Sequence, residues 1–182
     1  LQPLAVPEVL YLESDHPMRK VLIGKVVAHI AVGESGVRLA NAAKILEMLT
    51  GQKPTFRPAR KTIKEFGIKR GENIACMVTL RGEKAYEFLK RALAAVNYTI
   101  KESSIDEHGN FSFGIREHIQ IPGVKYDPTV GIFGMDVVVA LERPGYRVSR
   151  RRRKKSKLGK DHYVTKREAV EFITKVLGAK VV

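Results

Sequence analysis

The chain has 182 residues, the length of one domain with an appendage, and 44% hydrophobic against 29% charged residues is the composition of a packed globular protein, which excludes disorder throughout. Against 19 Asp and Glu stand 33 Lys and Arg, a formal charge of +14 that points to a polyanionic partner. No apolar run approaches the ~20 residues of a membrane span, and a single cysteine, Cys76, excludes an internal disulfide or a zinc knuckle.

Residues 1–20 carry Pro3, Pro7 and Pro17 without periodicity and are expected to form an N-terminal arm. Leu1 in place of an initiator Met fits either processing or a start further upstream. The arm lacks a basic segment followed by an apolar one, so the chain is expected to be soluble and unsecreted. Val21–Val32 alternates as a strand, with Leu22, Val26, Ala28, Ile30 and Val32 on one face and Lys25 and His29 on the other. Gly33 to Gly36 breaks it and offers Ser35 as an N-cap. Leu39, Ala42, Ala43, Leu46 and Leu49 then recur at helical spacing until Gly51.

A short strand is expected within Gln52–Arg57, then a long basic loop, 58–71, with Phe66 near its tip. Asn73–Leu80 is a strand with Ile74, Cys76, Val78 and Leu80 on one side. Ala85, Phe88, Leu89, Ala92, Leu93 and Val96 form a complete amphipathic stripe on the next helix. A further short strand is expected within Asn97–Ile105, a turn at His108 to Asn110, and a strand over Phe111–Glu117. A Pro- and Gly-punctuated loop leads to a strand at Met135–Glu142, with Met135, Val137, Val139 and Leu141 inward. After the basic stretch 143–160, Thr165 and Glu168 form a capping box for a last helix with Val170, Ile173, Val176 and Leu177 on its apolar side. The expected fold is α+β: a twisted, mainly antiparallel sheet of about five strands, helices packed on one side and one face left open. It is expected to comprise the arm 1–20, an α+β domain 21–142, and a basic C-terminal extension 143–182 packed on that domain.

The charge is concentrated. Arg143–Lys160 holds ten basic residues and no acid, and Lys53–Arg70 holds seven basic residues and one acid, leaving 16 basic and 18 acidic residues elsewhere. Catalytic signatures are missing: the 33–36 segment falls short of Gly-x-Ser-x-Gly because position 37 is Val, no Gly-rich phosphate loop opens a helix, and the five His show no ligand spacing. No metal or cofactor is expected. Cys76 reads as a small buried hydrophobe. The run Arg150 to Lys155 must be solvated or bound to an anion. A free tail and a localisation signal are its bland readings, but a good strand and a capped helix tether its two ends, which suits phosphate contact. The Lys53–Arg70 stretch sets cations around Phe66, which reads either as a mobile surface loop with Phe66 folded back onto the body or as an arrangement fitted to irregular RNA. A basic protein-interaction module and an RNA-modifying enzyme remain as other readings.

Seven segments in order carry a resemblance: Val32 to Ser35, Leu49 to Pro54, Lys61 to Gly71, Val78 to Gly82, Gly109 to Gly114, Gly131 to Asp136 and Arg143 to Tyr146. From about His16 onward the chain resembles the large-subunit ribosomal protein of the universal number-five family, in its archaeal form because of the arginine-rich insertion. The resemblance implies a cytoplasmic ribosomal protein of the central protuberance that binds 5S rRNA and touches 23S rRNA and neighbouring central-protuberance proteins. It also implies a loop near P-site tRNA and a bridge to the small-subunit head protein numbered thirteen. On this sequence the 5S-facing residues would be Lys25, His29, Gln52, Lys53, Thr55, Thr79 and Arg81. The tRNA loop would be Ala59, Arg60, Lys61, Thr62, Lys64 and Phe66. Other rRNA phosphates would meet Arg147, Arg150, Arg151, Arg152, Arg153, Lys154 and Lys155. The family usually has Asn and Gly where this chain has His29 and Ala31.

Overall fold

The computed structural model describes residues 11–12, 16–124 and 127–182. Much of the expected arm, 1–10 and 13–15, lies outside them. In chain order the elements are β1 (Tyr11–Leu12), β2 (Val21–Ala31), α1 (Val37–Thr50), β3 (Thr55–Pro58), β4 (Asn73–Leu80), α2 (Glu83–Ala95), β5 (Thr99–Ile100), β6 (Phe111–Ile115), β7 (Met135–Glu142), α3 (Arg147–Arg150), α4 (Lys166–Lys175) and β8 (Lys180–Val181). The main sheet runs β3-β4-β2-β7-β6, every neighbour antiparallel, with β1 paired to the start of β2.

The expected α+β sheet is present, and the alternation of its strands explains why one side is buried. Val26, Ala28 and Ile30 of β2, Cys76, Val78 and Leu80 of β4, and Met135, Val137, Val139 and Leu141 of β7 are all almost fully buried. They join the stripes of α1, α2 and α4 in one core. Cys76 is part of it, and burial pushes its thiol pKa up to about 11. Gly51 ends α1 in the left-handed region at φ 61, as its position at the helix C-terminus requires. Thr165 and Glu168 form the expected capping box.

Three expectations are corrected by local geometry. Leu22 does not share the face of Val26: a bulge at Gly24 shifts the register between Ile23 and Lys25, so Val21 and Ile23 pack inward before it and even-numbered residues after it. Ser35 is not the cap of α1. Gly36 holds that position without a side-chain bond, and the Ser35 hydroxyl donates instead to the Glu72 carboxylate at 2.6 Å. The stripe of α4 is led by Ala169, Phe172 and Ile173, with Val170 and Val176 only partly buried. The short strand expected within Asn97–Ile105 is present as β5, which pairs in parallel with β8 and so fastens residues 180–181 beside it.

The loop before β7 is fastened from inside. His118 is 3% exposed; its backbone N–H donates to the Phe133 carbonyl at 2.9 Å and its Nδ1 accepts from the Phe133 N–H at 3.3 Å. Burial holds the His118 pKa below its ordinary 6.5. The unfolded chain therefore binds the proton more readily, and this contribution is complete above about pH 6.5 and is lost as pH falls through the folded value. His118→Asn keeps an acceptor near Nδ1 but does not titrate. Urea midpoints measured from pH 7.5 to 5 are expected to fall less steeply for His118→Asn than for the parent; parallel acid limbs would contradict the assignment.

Candidate nucleic-acid interface

The side of the sheet away from the helices carries a continuous cross-strand row. Thr55 of β3 stands opposite Met77 of β4, Met77 opposite His29 of β2, His29 opposite Asp136 of β7, and Asp136 opposite Gly114 of β6. A second row joins Thr79, Val27, Val138 and Ser112. Since successive strand residues alternate between faces, these rows follow from the same pattern that buries their neighbours. The central part of the face is a concavity of about 750 Å³ lined by His29, Met77, Ser112, Asp136 and Val138 among others.

Four of the seven residues assigned to the 5S surface, Lys25, His29, Thr55 and Thr79, share this face. His29 is one-third exposed, and its Nδ1 lies 3.9 Å from the Asp136 carboxylate. Gln52 and Lys53 occupy the exposed turn that feeds β3, where the Gln52 N–H donates to the Thr50 hydroxyl. Arg81 is exposed but partly committed: its guanidinium donates to the Gly24 carbonyl at 2.9 Å and fastens the bulge. The face also includes Asp136 and Val138, which the alternation around the inward residues of β7 already implied. Asp136 sets a carboxylate amid the polar row, and Val138 is 41% exposed.

The 58–71 segment is more ordered than a loop of its composition suggests. Ile63 and Ile68 exchange two backbone hydrogen bonds, and a 3-10 turn at Lys64–Phe66 closes on Gly67 at φ 67, making a tight hairpin tip. Phe66 is 72% exposed there, and Arg60, Lys61, Thr62 and Lys64 are exposed around it. Ala59 is different: it is buried, donates to the Glu72 carbonyl and accepts from Gly71, so it roots the hairpin. Its side chain offers nothing to a ligand. Glu72 braces the same root, accepting from the Ser35 hydroxyl and the Lys69 N–H, and these two bonds hold its carboxyl below the usual range.

The basic excursion after β7 divides into anchors and cations with no ion pair among the described residues. Arg143 is 6% exposed and forms an ion pair with Glu168 while donating to the Asp161 carbonyl. Arg150 grips Glu142 through two bonds of 2.8 and 2.6 Å and lies over the Tyr146 ring. Glu142 in turn fills the space over Gly24, where any Cβ would overlap its side chain. Arg151 to Lys155 are exposed on a closed loop: the Arg151 Nε donates to the Lys154 carbonyl, Ser156 N–H reaches back to Val148, and Lys154 turns the chain at φ 50. Arg147 is exposed on the single turn of α3. The excursion presents its free cations from a fixed base, a geometry able to neutralise closely spaced phosphates.

Comparison with known proteins gives a consistent result. Residues 16–69 match the family described as ribosomal protein L5, and residues 73–172 match the model of that ribosomal family's C-terminus. The chain is 56% identical to the large ribosomal subunit protein uL5 of Aeropyrum pernix over 98% of its own length and 93% of the relative's. It is 56% identical to uL5 of Pyrobaculum aerophilum over 94% and 96% of the two chains. Its identity to uL5 of Chlamydomonas reinhardtii is 52% over 85% and 91%.

Proposed function

The chain belongs to the ribosomal protein L5 family, in its archaeal type, and from that premise we propose that it is a structural constituent of the large ribosomal subunit that holds 5S rRNA on its open sheet face. In this reading it attaches 5S rRNA in the central protuberance, meets 23S rRNA phosphates through the exposed cations of the excursion, and touches neighbouring proteins there. The hairpin tip with Phe66 approaches P-site tRNA, and the body bridges to the small-subunit head protein numbered thirteen. The observation that carries the 5S assignment is the cross-strand row Thr55, Met77, His29, Asp136 and Gly114, in which polar groups flank one methionine and all are held by the ladder on a surface the helices leave uncovered. Such a surface suits recognition of shape and 2′-hydroxyls more than of sequence. No chemistry on the RNA is required of it; binding and positioning are the whole task.

The test is retention of transcribed 5S rRNA by the full chain at physiological salt with tRNA as competitor. A preference for 5S rRNA is expected, and Thr79→Glu, which adds a carboxylate to the face, should weaken it by about tenfold. Replacing Arg60, Lys61 and Phe66 together with alanine should change 5S binding by less than about twofold while weakening P-site tRNA retention by reconstituted subunits. Equal competition by tRNA would remove the 5S assignment. Equal loss of both activities in the hairpin variant would remove the division of labour.

A further inference from the structure

We propose that a second concavity, at the end of the open face beside the basic excursion, takes one unstacked nucleotide of a folded RNA; the inference rests on the RNA-binding reading above and adds a defined subsite to it. The concavity holds about 520 Å³ and lies between the 106–110 turn, the last part of β7 and the excursion, within the ~300–1,000 Å³ typical of small-molecule sites. Its floor is apolar, formed by Val138 and Ala140. One wall is aromatic: the His108 and Tyr163 rings stand 5.3 Å apart at 37°, and Tyr146 meets Tyr163 edge-on at 5.9 Å. Tyr146 is itself held, accepting from the Val164 N–H and donating to the His162 carbonyl. The platform is thereby preorganised for a base, which stacks on an aromatic wall whatever its identity.

The charges in the concavity leave room for a phosphate. Its two carboxylates are already committed: Asp106 accepts from the backbone N–H groups of His108 and Asn110 and from the Asn110 side chain, and Glu142 is gripped by Arg150. Lys25 has no ion-pair partner among the described residues and supplies a free ammonium to the lining. Asn110 adds a group for a base edge. Because its Nδ2 donates to Asp106 at 2.7 Å, its amide orientation is fixed, and its Oδ1 takes no hydrogen bond among the described residues. That oxygen can accept from an N–H on a base edge. Val138 lines both this concavity and the larger one at the centre of the face, so an RNA lying along the sheet passes the opening. This continuity favours a nucleotide within RNA over a free nucleotide or an aromatic side chain of a protein.

The test uses the full chain and two RNA hairpins, one fully paired and one identical but for a single bulged nucleotide. Affinity is read by fluorescence anisotropy, and occupancy by the 15N shift of the Asn110 side-chain amide. The bulged hairpin is expected to bind about tenfold more tightly. That advantage should vanish in His108→Ala and in Tyr163→Leu, with paired-hairpin affinity kept within about twofold. His108 is exposed, so its variant carries the test even if Tyr163→Leu fails to fold. Equal affinity for the two hairpins overturns the subsite while leaving the sheet-face reading intact; binding of neither overturns both. Two control ligands address the alternative occupants. Half-saturation of the Asn110 shift by AMP, GMP, CMP or UMP at lower concentration than by the bulged hairpin overturns the RNA source. The same shift with a tyrosine-containing peptide and not with the bulged hairpin overturns the nucleotide.

Discussion

Arg143→Ala is expected to lower the unfolding free energy by about 3 kcal/mol, one of the two largest effects the structure implies. The guanidinium lies at the root of the excursion with one nitrogen on Glu168 and another on the Asp161 carbonyl, while its Nε is buried with no hydrogen-bond partner among the described residues. Removing one member of a buried pair typically costs about 3–5 kcal/mol because the other is left uncompensated. The lower end applies here, since the Glu168 side chain is one-third exposed and water shares its charge. Glu168 also closes the capping box of α4, so it cannot turn away without losing its bond from the Thr165 N–H. Replacing the pair together, Arg143→Met with Glu168→Gln, should restore most of the loss: the glutamine keeps the cap, and no buried charge remains. Urea denaturation of the parent and the two variants measures this, and a loss below about 1 kcal/mol for Arg143→Ala would show the pair to be merely superficial.

The same residue illustrates where sequence reasoning stops. Period-two and period-3.6 patterns locate β4, β7 and α2 almost residue for residue, because burial alternates along β7, follows the same period in β4 apart from the buried Ala75, and recurs at helical spacing in α2. The pattern fails where one residue breaks phase. Gly24 introduces a bulge, and from composition a glycine in a strand reads equally as an ordinary weak point, so alternation alone puts Leu22 on the wrong face. It also fails where contacts span long separations: the parallel β5–β8 pair joins residues 80 or so apart in the chain with only two residues per strand, too short to carry a period. Cations are the sharpest case. In the sequence Arg143, Arg147 and Arg150 to Lys155 are one basic run; in the fold Arg143 and Arg150 are spent on Glu168 and Glu142, and what decides this is the position of two acids, one on β7 and one on α4. Likewise Ala59 lies inside the basic loop by position and at its buried root by hydrogen bonding.

That division between spent and free cations sets up the second large effect. Neutralising Arg151, Arg152, Arg153, Lys154 and Lys155 to glutamine should flatten the plot of log affinity for rRNA against log salt by up to about 3.5–4.5, since each phosphate contact releases about 0.7–0.9 of a counterion. The five are exposed, and the backbone bonds from Arg151 to Arg147 and from Ser156 to Val148 remain although the bond from the Arg151 guanidinium to the Lys154 carbonyl is lost, so the loss is chiefly one of charge. Arg150→Gln alone should leave the slope unchanged, because its guanidinium already compensates Glu142 in a bidentate pair and has no net charge to give a phosphate. Glu142→Gln should steepen the slope by up to about 0.9, by releasing Arg150 to the solvent side of the excursion. Filter binding from 50 to 400 mM KCl separates the three variants. If Arg150→Gln flattens the slope by about a fifth of what the fivefold variant does, the pair with Glu142 opens on the RNA and the run acts as six equivalent cations; if the fivefold variant keeps the parent slope, Arg151 to Lys155 do not meet phosphate.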